Sequence, residues 1–285
     1  MSFIKKIRKS ANRTYHLGMM KLDSFLSSSS QNHTWPHLLF IIGLPKSGTN
    51  WLSQLLEQIP GYKPAYVYDP DNCSQLHNIC SNIFSHLPHN MHYVMKLHTE
   101  YSPANLQVLD QFNLRPIIMY RDLRDQCVSR YFHVLNDPSH RHHVQYNSTP
   151  KEEAMLHNIE ITIGYYLGWV EGWRSVMAQQ PGRFFEVKYE GLRQNPVLTL
   201  SNVLDFFKID LPQDKVENIV QEISARTKFD IKENLSKHKG TARKGIVGDW
   251  RNHFTEEQVQ IFKDKCGKHL IDLGYEKDLN WKLDH

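Results

Sequence analysis

Cysteine is scarce in this chain of 285 residues, with only Cys73, Cys80, Cys127 and Cys266 and no C-x-x-C pair. That spacing indicates neither a zinc site nor a disulfide framework, and it points to a reducing compartment, the cytoplasm. Long apolar runs are missing as well. No stretch approaches the roughly 18 residues needed to cross a membrane, and the N-terminus has no signal-peptide core. Nor does either sign of charge dominate: 34 Lys and Arg against 30 Asp and Glu leave a formal +4. That excess suits a small anionic ligand and falls short of the basic stripe that nucleic acid demands. What is present, 40% apolar and 22% charged residues, is the composition of a globular protein with enough length for one α/β core.

One stretch organises the rest. Leu38 to Ile42 is a short apolar run of the length of a strand buried on both faces. A turn punctuated by Gly43, Pro45 and Gly48 follows, and then Trp51, Leu52, Leu55, Leu56 and Ile59 fall on one face of a helix. Strand, glycine-bounded loop and helix start predict a P-loop-like phosphate cradle. The first backbone N–H groups of the helix are unpaired there and its dipole is positive. Lys46 adds a full charge. The nucleotide-triphosphatase pattern G-x-x-x-x-G-K-[ST] keeps its glycine interval here, but Thr49 follows Gly48 where the lysine belongs. The loop is therefore read as holding a phosphate without a metal-bound triphosphate.

Further short strands are expected at Tyr93–His98, Pro116–Tyr120 and Phe184–Tyr189, each ending in charged or titratable groups. Helices are expected at 103–113, from Asp122 through Phe132, over 151–180 and at Leu198–Phe207, with helical spacing also at Leu76, Ile79, Ile83 and Leu87. Gly61–Pro70 and the histidine-bearing stretch Asn136–Pro150 read as loops. This alternation predicts a single α/β domain over 38–285, a mostly parallel central sheet flanked by helices. Residues 1–37 form a separate basic arm and serine-rich linker. Two readings of the arm stand, a solvated segment and an amphipathic helix touching an acidic membrane surface.

P-K-S-G-T-N-W at 45–51 closely resembles the 5′-phosphosulfate loop of the sulfotransferase family, which uses 3′-phosphoadenosine-5′-phosphosulfate (PAPS) and releases adenosine 3′,5′-bisphosphate (PAP). Other segments follow in that family's order. Arg121 to Ser129 resembles its 3′-phosphate segment, and Arg243-Lys244-Gly245 through Asp249-Trp250 resembles its late loop R-K-G-x-x-G-D-W. Tyr189 and the pair Thr227 and Phe229 resemble residues near the adenine, on which Trp51 is positioned to stack. Lys96-Leu97-His98 resembles the K-[TS]-H strand end that carries the general base. Leu97 departs from the pattern at a position that faces away from Lys96 and His98 in a strand. Asn50 replaces a second threonine, and Arg251 to Gln260 matches the family's dimer motif too thinly to imply pairing.

The resemblance implies sulfuryl transfer to the hydroxyl, or as a lesser alternative the amine, of a small-molecule acceptor, without metal. His98 takes the acceptor proton, Lys46 and Lys96 stabilise developing charge, and Ser129 restrains Lys46. Lys46, Ser47, Gly48, Thr49, Asn50 and Trp51 hold the 5′ side of the nucleotide. Arg121, Ser129, Arg243, Lys244 and Gly245 hold the 3′-phosphate, and Tyr189, Thr227 and Phe229 the base. Two competing readings make different demands. A P-loop kinase needs a Mg²⁺ ligand beside the loop, and a non-catalytic nucleotide-binding protein would lack Lys46 or His98. The segments around 66–92 and 133–150 are rich in Tyr, His, Asn and Phe without a fixed pattern. They accept a phenol, a steroid-like alcohol, a sugar or a lipid equally, and they leave the oligomeric state unspecified.

Overall fold

The structure is a computed structural model that describes residues 38–65, 77–85, 87–88, 90–237 and 244–283. The basic arm at 1–37 and the cofactor candidate Arg243 lie outside the described residues.

In chain order the elements are β1 (Leu38–Gly43), α1 (Thr49–Leu56), β2 (Tyr62–Pro64), α2 (Ser81–Ser85), β3 (His92–Leu97), α3 (Pro103–Gln111), β4 (Ile117–Tyr120) and α4 (Leu123–Asn136). The chain continues with α5 (His143–Ser148), α6 (Lys151–Ile161), a π-helical turn at Thr162–Tyr166, α7 (Leu167–Gln179), β5 (Phe185–Lys188), α8 (Tyr189–Gln194) and α9 (Pro196–Phe207). It closes with α10 (Gln213–Lys237), a 3₁₀ turn at Asp249–Asn252 and α11 (Glu256–Asp272). The five strands form one sheet in the order β2-β3-β1-β4-β5, and every pairing is parallel.

β1 sits in the middle and is buried along its whole length. Its side chains alternate between two cores. Phe40 and Ile42 join Met95, Leu97, Ile118, Tyr120, Trp173 and Phe262 on one face. Leu39 and Ile41 join Val94, Ile117, Met119, Val187 and the inner sides of α1, α9 and α10 on the other. Each fully buried aliphatic side chain of this kind contributes about 1.5–3 kcal/mol. An exposed pair such as Arg226–Glu222 at 3.0 Å is worth about 0–1 kcal/mol, so the two cores dictate the layering.

Local signals set the helix starts. The Ser102 side chain accepts from Asn105 N ahead of Pro103, and the Asn195 side chain accepts from Leu198 N ahead of Pro196. Thr255 and Gln258 form a capping box at α11, which accounts for Thr255 without any dimer contact.

Several expectations need correction. Tyr62–Pro64, read as loop, is an edge strand paired with β3. The Asn136–Pro150 stretch contains α5, whose Tyr146 is 2% exposed. A single buried aromatic among polar residues gives no periodicity to detect. The helix expected from Leu76 to Leu87 is, among the described residues, only the short α2. The long helix over 151–180 is broken by a π turn where Thr162 Oγ1 donates to Asn158 O at 2.9 Å. Tyr189 opens α8 instead of ending β5. Cys80 is engaged in a disulfide, which overturns the expectation of unpaired cysteines, while Cys127 and Cys266 are buried free thiols.

Candidate active site

β1 has β3 on one side and β4 on the other. The crevice beyond the carboxyl ends of these strands is therefore where an open parallel sheet gathers its ligand contacts. Three loops meet there.

The first runs from Gly43 into α1. Leu44 N donates to Met119 O at 2.8 Å, extending the sheet, and Ser47 N donates to Leu44 O at 3.2 Å to close the turn. Gly48 has φ 83°, and a Cβ there would stand 2.5 Å from Cδ2 of the Tyr189 ring. Glycine is therefore required both by conformation and by room. No side chain caps α1 and no acidic residue lies in its first turn, so its positive end stays available to an anion. Lys46 also has positive φ, 69°. Burial, reinforced by the Arg121 charge, lowers its pKa to about 8.

The second loop follows β3. His98 Nδ1 faces the carbonyl oxygen of Gly43 at 2.6 Å. A carbonyl only accepts, so Nδ1 carries the proton and Nε2 keeps a lone pair. The segment is pinned on every side. His77 Nδ1 donates to His98 O at 2.7 Å, and the indole N–H groups of Trp169 and Trp173 donate to Thr99 O at 2.8 and 3.1 Å. Asn105 Nδ2 donates to Glu100 O at 2.8 Å. Burial pushes the His98 pKa below the usual histidine value, against the Gly43 bond and with help from Lys96, His77 and Lys46. The ring is thus held toward its neutral form. Lys96 Nζ donates to Asn50 Oδ1, and Leu97 is buried in the core, away from the site.

Arg121, directly after β4, joins the first loop to the third. Its guanidinium lies 4.3 Å over the Tyr189 ring. Nη1 is 3.5 Å from Lys46 O, Nη2 is 3.5 Å from Ile246 O, and Nη2 pairs with Asp125 at 3.1 Å. In the third loop Lys244 Nζ is 3.7 Å from the buried Asp249, and Gly245 O accepts from Arg193 Nε at 2.9 Å.

The crevice thus brings together Lys46, Ser47, Gly48, Arg121 and Tyr189, with the Lys244–Trp250 loop reaching Arg121 through Ile246. His98 reaches the first loop through Gly43, and Lys96 reaches it through Asn50. Thr49 is buried at the first turn of α1, and Ser129 is half-buried on α4, two turns beyond Arg121. Trp51 packs into the second core with Arg193 5.9 Å over its ring. Thr227 lies within α10, where its hydroxyl donates to Ile223 O at 2.8 Å. Phe229 follows on the same helix.

Sequence reasoning missed Asp125, Gln126 and His77. Asp125 was visible only as a rival partner at i+4 from Arg121. Gln126, fully buried and donating to Pro45 O at 3.2 Å, gave no signal. The histidines are more organised than an exposed loop. His142 and His157 pack against Tyr146 and against each other, with their ring centroids 5.2 Å apart, and His140 packs on His142. Among the described residues no group of three or more His, Cys, Asp or Glu could hold a metal ion.

The fit to a bisphosphate nucleotide rests on donors without partners. Among the described residues, the buried Ser47 Oγ and Arg121 Nε meet no hydrogen-bond partner. Such donors are costly unless a ligand supplies acceptors. Together with the uncapped start of α1, they suit a ligand carrying phosphate oxygens at two positions.

The sulfotransferase domain family matches residues 36–274, and the chain belongs to that family. Sulfotransferase 1A1 of Rattus norvegicus is 26% identical over 271 residues, spanning 86% of this chain and 89% of that protein. A flavonol sulfotransferase-like protein of Flaveria bidentis is 24% identical over 276 residues, spanning 89% and 88%. Among solved structures, mouse sulfotransferase SULT7A1 complexed with PAP gives a TM-score of 0.64 at 20% identity over 87% of each chain. Retinol dehydratase in complex with androsterone and PAP gives 0.58 at 16% identity, over 85% of this chain and 82% of that one. The expected fold class and family are both borne out, and membership makes the chain a PAPS-dependent sulfotransferase.

Proposed function

We propose that this member of the sulfotransferase family moves a sulfuryl group from PAPS to the hydroxyl of a small-molecule acceptor, an amine being the lesser alternative, with His98 as general base and no metal. The observation that carries this reading is the 2.6 Å contact of His98 Nδ1 with Gly43 O. It ties the base to the first residue of the phosphate loop and leaves Nε2 as the proton acceptor.

The roles follow from the chemistry of each group. When bound, PAPS supplies an activated sulfuryl group on its 5′-phosphate. His98 Nε2 accepts the acceptor's hydroxyl proton. Lys46, in its charged form, offsets the negative charge left on the 5′-phosphate oxygen, and Lys96 adds a second cation held by Asn50. Ser47, Gly48, Thr49 and Asn50 offer the 5′-phosphate side-chain and backbone donors. Arg121, Ser129, Arg243, Lys244 and Gly245 serve the 3′-phosphate. Trp51, Tyr189, Thr227 and Phe229 are assigned to the adenosine. Ser129 restrains Lys46 until the acceptor arrives. In this reading cationic side chains take the part that Mg²⁺ plays in a kinase. A domain spanning 38–285 is proposed to carry all of this, with the arm at 1–37 as a further segment of solvated or membrane-touching character.

Calorimetric titration with PAP, beside ATP with Mg²⁺, tests the cofactor. Tight PAP binding without metal, weakened in Arg243→Ala, is expected; binding of ATP–Mg²⁺ in place of PAP would overturn the reading. For the base, His98→Ala should keep PAP affinity and lose roughly 10²–10⁴ in kcat. Full turnover in that variant removes His98 from the mechanism. The cytoplasmic location is carried as a proposal that the Cys80 disulfide puts at risk, and native protein isolated with Cys80 oxidised would overturn it.

A further inference from the structure

We infer that Asp125 is a positioning residue that assembles the two halves of the 3′-phosphate site before any nucleotide arrives; the inference rests on the proposed use of PAPS. Asp125 lies in the first turn of α4, one turn beyond Arg121, and is 2% exposed. Its Oδ2 accepts from Arg121 Nη2 at 3.1 Å and from Gly248 N at 2.7 Å. Its Oδ1 accepts from Trp250 N at 3.0 Å. One carboxylate therefore holds both the cation from the end of β4 and the turn that closes the Lys244–Trp250 loop.

Capping α4 does not explain this residue. That task belongs to Asp122, whose side chain accepts from Arg124 N at 2.9 Å. Asp122 is also the main partner of Arg124 at 2.6 Å, so it takes no share of Arg121. Burial raises the pKa of Asp125 against the pull of Arg121 and the two amides. Such a buried carboxylate is retained only where its hydrogen bonds are complete.

The consequence for Arg121 is orientation. A guanidinium has five N–H donors in a rigid fork. Asp125 takes Nη2, and the Tyr189 ring fixes the plane at 4.3 Å. Nε is buried without a partner among the described residues, a donor that a phosphate oxygen would satisfy. On the other half, the Gly248 and Trp250 amides anchor the turn, and the neighbouring Asp249 draws Lys244 to 3.7 Å. Ile246 O is within 3.5 Å of Arg121, so the halves already touch.

The test is the selectivity between PAP and adenosine 5′-phosphate, which lacks the 3′ group, measured calorimetrically on the full chain. In Asp125→Asn, PAP should bind about 10- to 100-fold more weakly, the scale of lost charge-assisted hydrogen bonds. Adenosine 5′-phosphate should change by less than about threefold, so the preference collapses. An unchanged preference, equal weakening of both ligands, or tighter PAP binding each overturns the inference. The last would mean that Asp125 merely drains charge from Arg121. Wild-type protein with no preference for PAP would overturn the PAPS reading itself, together with this inference. Hydrogen exchange on ligand-free wild type gives an independent check should the variant not fold. The Gly248 and Trp250 amides should be protected, and exchange at free-peptide rates would overturn the preassembled site.

Discussion

The phosphate side of the crevice and the histidine-bearing segment from His133 to His157 contrast in how they are held. On the phosphate side hydrogen bonds involving backbone join segments far apart in the chain. His98 reaches Gly43 O at 2.6 Å, Gly248 N reaches Asp125 at 2.7 Å, and Gln126 reaches Pro45 O at 3.2 Å. In the histidine segment ring contacts between half-exposed partners, with centroids 5.2–6.1 Å apart, stand beside hydrogen bonds to nearby backbone, His143 Nδ1 to Val134 O at 3.0 Å and Thr149 Oγ1 to Gln145 O at 2.7 Å. The two regions meet electrostatically. Burial and the nearby Lys46 charge take the His133 pKa down to about 4, against the pull of Asp137. Bonds between distant segments hold one loop against another, whereas bonds among near neighbours in the chain hold only the segment itself.

The sharpest way to break the contrast is Gly48→Ala. Positive φ at a non-glycine residue costs about 1–3 kcal/mol, and the new Cβ would drive into the Tyr189 ring at 2.5 Å, which in turn supports Arg121. PAP affinity measured by calorimetry should fall at least tenfold, by roughly 1.4 kcal/mol or more. Wild-type affinity would show that the loop yields as readily as the histidine segment.

A smaller effect is expected from pH. His98 must be neutral to accept a proton, and its pKa is depressed by burial. The acid limb of kcat/KM should therefore fall below the ordinary histidine value of about 6.5. Lys46 must be charged, so activity should decline as pH rises through about 8. In kcat, which reports the bound state, that alkaline limb should move upward because phosphate beside Lys46 favours the ammonium. A single limb, or an alkaline limb that does not move, would remove Lys46 from its role.

The smallest effect belongs to the other region. His142→Ala loses ring contacts with His140, His157 and Tyr146 and a 3.1 Å contact with Gln145 Oε1. Thermal unfolding should change by no more than about 0.5 kcal/mol, as for ordinary surface substitutions, with PAP affinity unchanged. A loss of several-fold in PAP binding would join the two regions into one structural unit.

Much of the phosphate side was legible because its requirements are local. A buried strand, a glycine at positive φ and a lysine before a helix start are all set within the stretch from Leu38 to Trp51. The strand end at His98 was legible for the same reason. Asp125 and Gln126 were not, since their partners Gly248, Trp250 and Pro45 are brought to them only by the fold. The edge strand Tyr62–Pro64 was hidden by its length of three residues. α5 was hidden by its composition, because a lone buried Tyr146 has no period.

By itself the sequence determined the parallel α/β layering, through apolar runs and helical spacing, and the family to which the loop at 45–51 points, through residues adjacent in the chain. The tertiary structure alone decided which nitrogen of His98 carries its proton, which carboxylate claims Arg121, and that His77, Trp169 and Trp173 fix the strand end carrying His98. Apart from the Arg121–Asp125 pair, whose partners are four residues apart, those choices depend on groups 21 to 74 residues apart in sequence. Hydrogen bonds and desolvation act across space, so only packing could set them.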